Sequence, residues 1–169
     1  MPSYPGLAGL LQGMTTASSA QVFEKRVIPY LVDTWLSDYY RATKKSEVVA
    51  TTLDDFTYLF DVAHGRLVAA WGISRGRHAG ARDKSRMAGH PLSASPEYHR
   101  GHADINLVPQ RGAVNIGPFR ALEKVAVATP GALYFTYWKY SRSAGQQPIG
   151  VDQGLLCPGR SPDIKAHGN

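Results

Sequence analysis

Apolar positions recur every three or four residues from Ser18 or Ser19 onward, with Val22, Phe23, Val27, Tyr30, Leu31 and Trp35 on one stripe. That spacing matches the helical period and predicts an amphipathic helix closing at Tyr39-Tyr40-Arg41. Pro29 lacks the N–H that its turn requires, so a kink or a split is expected there. The pattern then changes to short β-branched and aromatic runs. Residues 48–52, 56–60 and 66–73 each read as a strand, with His64-Gly65 as a turn before the third. Residues 106–110 read as a short extended piece. Helical spacing returns over residues 118–128, where Phe119, Leu122, Val125 and Ala126 form the apolar side. Pro118 suits a first helical position and Pro130-Gly131 ends the segment. Residues 133–140 carry bulky groups on both faces, as a central strand does.

The flanks are less regular. Residues 1–17 are rich in Gly, Ser, Thr and Pro and are expected to form a flexible amino-terminal arm. The tail from Ser141 is expected to be mostly loop. Residues 18–169 then form a single domain, with a helix, a run of strands, a compact β-β-α unit at about 97–129 and a further strand. The fold class implied is α+β.

A chain of 169 residues can bury a full core, and 43% hydrophobic with 19% charged residues is neither a disordered nor a membrane composition. No run approaches the roughly 20 apolar residues that cross a bilayer. The first residues carry no basic segment ahead of an apolar one, so no signal peptide is expected. A cytoplasmic protein or a delivered effector fits that reading. Cys157 is the only cysteine, which excludes an internal disulfide and a cysteine-rich zinc site. The net charge of +6 favours polyanionic partners. Much of the excess lies in one stretch, where Arg75, Arg77, Arg82, Lys84 and Arg86 face only Asp83. Such a cluster is either a solvated loop or a surface that tracks phosphates.

The candidate chemistry lies further on, in three pieces: His99-Arg100-Gly101-His102, then Asn106-Leu107-Val108-Pro109-Gln110, then Asn115 to Glu123. Phosphodiester hydrolysis needs a base for the attacking water, a cation for the developing charge and help for the leaving oxygen. One Mg²⁺ and one neutral imidazole meet all three needs. Mg²⁺ takes only one or two oxygen ligands from protein. Asn115 and Glu123 are eight residues apart, about 2.2 helical turns, and so lie roughly on one side of a helix.

These pieces resemble the DNA/RNA non-specific endonucleases of the ββα-metal class (the His-Me finger nucleases). That family's pattern is D-R-G-H, N-x-x-P-Q and N-x-G-x-[WF]-x-x-L-E. The resemblance covers about 25 residues strongly and keeps the spacing of the last two pieces. It implies His102 as general base, Asn115 as direct metal ligand and Glu123 as holder of metal-bound water. It also implies Asn106 as a site-ordering amide and Arg100 as a phosphate contact. Mg²⁺, or Mn²⁺ in its place, is the implied cofactor, DNA or RNA the substrate, and 5′-phosphate ends the product. Arg75, Arg77, Arg82, Lys84, Arg86 and Arg120 are then the candidate nucleic-acid contacts. A toxin-like member of the family would meet an inhibitor or immunity protein.

Two departures stand out. His99 replaces the family's first Asp, and only three residues separate His102 from Asn106, where relatives have ten to twenty. His90, in Met87-Ala88-Gly89-His90, lies at the more usual interval and is the alternative base. The short interval also keeps open a nucleic-acid-binding domain of nuclease descent with weak or no catalysis. A third reading makes the histidine-rich segment a Zn²⁺-binding structural element. Tyr134, Tyr137, Trp138 and Tyr140 are expected in the core rather than as platforms for bases.

Overall fold

The structure is a computed structural model and describes residues 2–53, 55–75, 118–142 and 145–168. Six strands form one antiparallel sheet in strict chain order: β1 (Val48–Leu53), β2 (Phe56–Asp61), β3 (Arg66–Ile73), β4 (Leu133–Lys139), β5 (Gly150–Leu156) and β6 (Asp163–Gly168). Each strand pairs only with its sequence neighbours, so the sheet is a meander with β3 and β4 at its centre. Helices α1 (Leu7–Gln12), α2 (Ser19–Val22), α3 (Ile28–Ala42) and α4 (Pro118–Ala128) complete the described elements. The fold is α+β, as the order of patterns implies.

Pro29 does not split the first long helix. A five-residue π turn, Phe23–Val27, joins α2 to α3, and the Ile28 N–H donates to the Phe23 carbonyl. Widening the turn immediately before the proline absorbs its missing donor, and Pro29 then sits in the first turn of α3, where no donor is needed. The stripe predicted from spacing is buried: Phe23, Val27, Leu31, Trp35 and Tyr39 are almost fully shielded.

Trp35 is the centre of one core layer. Its ring lies 5.1 Å from Phe135, 5.7 Å from Trp71 and 6.2 Å from Tyr137. Side chains alternate along a strand, so Phe135 and Tyr137 face α3 while Tyr134, Thr136 and Trp138 face the other way. On that second face lies α4. Its Leu122, Glu123 and Ala126 are buried, and the Ser74 hydroxyl at the end of β3 donates to the Ala126 carbonyl at 2.6 Å. Helices on both sides explain why β3, β4 and β5 are buried along nearly their whole length. Val125, expected on the apolar side of α4, instead faces outward.

Two segments differ from the sequence reading. Residues of the expected amino-terminal arm include α1, whose Leu7 and Leu11 are fully buried, followed by Met14 at 4% exposure. Gly159 N–H donates to the Leu11 carbonyl at 2.9 Å, and Tyr4 donates to Asp152 at 3.1 Å. The tail expected to be loop contributes β5 and β6. Gly150, Asp152, Gln153 and Gly154 are poor strand formers, and burial with polar partners overrides their propensity. The strand expected at residues 106–110, and with it the β-β half of the unit at about 97–129, lies outside the described residues.

Candidate active site at Glu123

Glu123 sits in the second turn of α4 and is 2% exposed. Burial pushes its carboxyl up to about 7, against the lowering pull of the Arg120 cation three residues earlier. Arg120 and Glu123 therefore share one side of the helix.

The sheet beneath carries a line of polar groups. Burial first, and then the negative charge of Glu123, raise the Tyr134 hydroxyl well above its ordinary range. Gln153 on β5 donates from Nε2 to Tyr134 Oη at 2.8 Å. The Gln153 Oε1 atom meets His167 Nε2 of β6 at 3.0 Å. A carbonyl oxygen only accepts, so His167 carries its proton on Nε2. Burial lowers the pKa of His167; Asp152 works in the opposite sense, and Lys139 and Lys165 add to the lowering. Glu123 thus stands at one end of a polar row that crosses three strands, in an otherwise apolar layer.

A carboxyl with these properties has two chemical uses. It can hold a proton near neutrality, or it can exchange that proton for a cation. Its oxygens are hard donors of the kind that Mg²⁺ and Mn²⁺ prefer. Among the described residues no group of three His, Cys, Asp or Glu is placed to hold a metal. Of the two donors expected for Mg²⁺, the Glu123 carboxylate is an oxygen ligand of the kind that ion takes, and Asn115 lies outside the described residues.

Of the candidate catalytic, metal and nucleic-acid-binding residues expected from sequence, Glu123, Arg120 and Arg75 are described. Arg75 follows β3 and pairs with Asp55 of the β1–β2 turn, both groups being more than half exposed. Arg100, His102, Asn106, Asn115, the alternative base His90 and the cluster residues Arg77, Arg82, Lys84 and Arg86 lie outside the described residues. Tyr134, Tyr137, Trp138 and Tyr140 are buried, as core residues rather than stacking platforms. Asp152 binds Lys139 at 2.5 Å and Tyr4, and Asp163 pairs with Lys165 at 3.2 Å. Sequence reasoning missed the row through Tyr134, Gln153 and His167. Two alternate residues, Gln153 and Val151, on a strand with Gly at 150 and 154 gave no local sign of it.

Among the described residues no helix is long and apolar enough to cross a membrane. Compared with protein-family models, with curated proteins and with solved structures, the chain finds no match.

Proposed function

We propose that the chain is a divalent-metal-dependent endonuclease that hydrolyses phosphodiesters of DNA or RNA with little base preference. The observation that carries this reading is the buried Glu123, its carboxyl near 7, on a helix that begins three residues after Asn115. Asn115 and Glu123 are the residues that would hold Mg²⁺ or Mn²⁺, within the ββα-metal arrangement that the family resemblance implies. When bound, the ion supplies charge stabilisation for the phosphorane and the leaving oxygen. His102, or His90 in its place, removes the proton from the attacking water. Arg100 contacts the phosphate, Asn106 orders the site, and Arg120 with the 75–86 cluster draws the polyanion in. Tyr134, held by Gln153, lies within electrostatic reach of Glu123.

The three-residue interval between His102 and Asn106 favours one second reading, a binding domain without useful catalysis. Incubation with supercoiled plasmid and with RNA, in Mg²⁺ or in EDTA, separates the two. The nuclease reading expects degradation that EDTA, Glu123→Gln and His102→Ala each abolish. Loss with His90→Ala but not with His102→Ala moves the base to His90. Gel retardation without cutting sinks the nuclease reading in favour of the second. An inhibitor protein belongs to the first reading and would be found by its suppression of cutting.

A further inference from the structure

The end of the sheet away from Glu123 carries a cavity of about 410 Å³, lined chiefly by Arg41, Thr43, Lys44, His64, Arg66 and Arg142. That volume is in the range of small-ligand pockets. Among the described residues, every permanently charged side chain on its wall is positive. Three separate elements supply them: the end of α3, the β2–β3 turn with the start of β3, and the exit from β4. Tyr134 beside Glu123, in β4, and Tyr140 beside Arg66, just past its end, are six residues apart, which in extended chain spans about 20 Å. The cavity is therefore distinct from the candidate active site.

Arg66 is a built feature and not a surface cation, since it is 2% exposed. Its Nε and Nη2 donate to the Gly145 carbonyl at 2.9 and 2.5 Å, and its guanidinium lies 4.7 Å from the centroid of the Tyr140 ring. These contacts fix the plane of the fork. Two carboxylates behind the wall pair with residues that line it. Asp61 takes hydrogen bonds from Tyr39, from the Glu47 and Ala63 N–H groups and from His64, and Asp38 lies 3.8 Å from Arg41. Neither lines the cavity. The carbonyl end of α3 attracts Arg41 and Lys44. It does not account for Arg66 and Arg142, which come from the sheet. Gathering these cations around one space costs the fold electrostatic energy that Asp38, 3.8 Å from Arg41, offsets in part and an anion in that space offsets further.

We infer that this cavity binds a phosphate group, carried either by a free phosphate-class anion or by a small nucleotide. Arg66 provides a fixed, buried positive charge, while Lys44, Arg41 and Arg142 supply mobile charge and hydrogen-bond donors at the mouth. His64, held through Nδ1 by Asp61, adds one ring nitrogen to the wall. The inference stands independently of the nuclease reading.

Calorimetric titration of the full chain with inorganic pyrophosphate tests it, with a 5′-phosphorylated dinucleotide as the second probe. Saturable one-site binding of pyrophosphate is expected. Lys44 and Arg142 are exposed, so the double variant Lys44→Ala/Arg142→Ala keeps the fold, which its thermal midpoint verifies. That variant should bind at least about tenfold more weakly. Arg160→Ala, an exposed cation elsewhere, and Glu123→Gln should bind as the unaltered chain does. Tighter binding of the dinucleotide than of pyrophosphate assigns the phosphate to a nucleotide, and equal binding assigns it to a free anion. The inference is overturned by an absence of saturable binding, by a double variant that binds normally, or by loss of binding in Glu123→Gln.

Discussion

Tyr39 donates its hydroxyl proton to Asp61 Oδ2 at 2.6 Å, which ties the last turn of α3 to the end of β2. Burial works to raise the Asp61 carboxyl, but hydrogen bonds from Tyr39, the Glu47 N–H and His64 hold it below its ordinary value. Tyr39 is pushed the other way, to about 12, by burial and by its bond to Asp61. Asp61→Ala should cost about 2–4 kcal/mol, because it orphans several donors at a fully buried position. Urea midpoints at neutral pH check this.

The same carboxylate gives a pH signature. Its folded pKa is depressed, so its contribution is complete above the unfolded carboxyl value near 4 and disappears as pH falls through the folded value. The stability gap between the unaltered chain and Asp61→Asn should narrow when unfolding is repeated below about pH 4. A gap of constant size would place the stabilisation in packing rather than in charge.

Glu123 has the opposite sign. In the metal-free chain its carboxyl keeps its proton to about 7, whereas in the unfolded chain it ionises near 4.5. The folded state then binds more protons across that window, so stability falls as pH rises through it. The full shift corresponds to about 3 kcal/mol. In EDTA at pH 8, Glu123→Gln should therefore melt above the unaltered chain, and at pH 4 the two should agree closely. A variant that is more stable and also inactive would separate a functional carboxylate from a structural one. A Gln variant that melts lower at pH 8 contradicts the assignment.

Packing of the two faces was legible where side chains follow a period. The strands expected at 48–52, 56–60 and 66–73 and the helix Pro118–Ala128 appear, to within a residue, where short β-branched or aromatic runs and three-four spacing placed them. β5 was not legible, because Asp152 and Gln153 owe their burial to Lys139, Tyr134 and His167, partners on other strands. No local pattern encodes such pairs. Glu123 was found by its distance from Asn115 along the chain, while its burial depends on the sheet beneath. The basic cavity was invisible for the same reason, since its cations come from residues 41 to 142.

Gly154 marks a close approach within the core. A Cβ there would collide with the Phe135 ring, which itself packs on Trp35. Gly154→Ala should destabilise by about 1–3 kcal/mol as the ring is driven off its rotamer. Thermal unfolding measures this, and a neutral result would mean that Phe135 has room to turn.

Leu11→Ala removes a fully buried side chain from α1 and should cost about 2–5 kcal/mol. An exposed mutation nearby, such as Gln12→Ala, should be close to silent. Equal effects at the two positions would detach α1 from the core.

The seating of α1 also orders events during synthesis. Four of the five strand pairings form between strands close in the chain, which is a fast, local kind of assembly, while β3, ending at Ile73, must find β4, beginning at Leu133. Tyr4 and Leu11, however, rest against Asp152 and Gly159, nearly the whole chain away. Until β5 and the Gly159 turn have been made, α1 therefore lacks the partners that complete its burial. Every nascent chain passes through that interval with an apolar segment incompletely covered, where chaperones bind and aggregation begins.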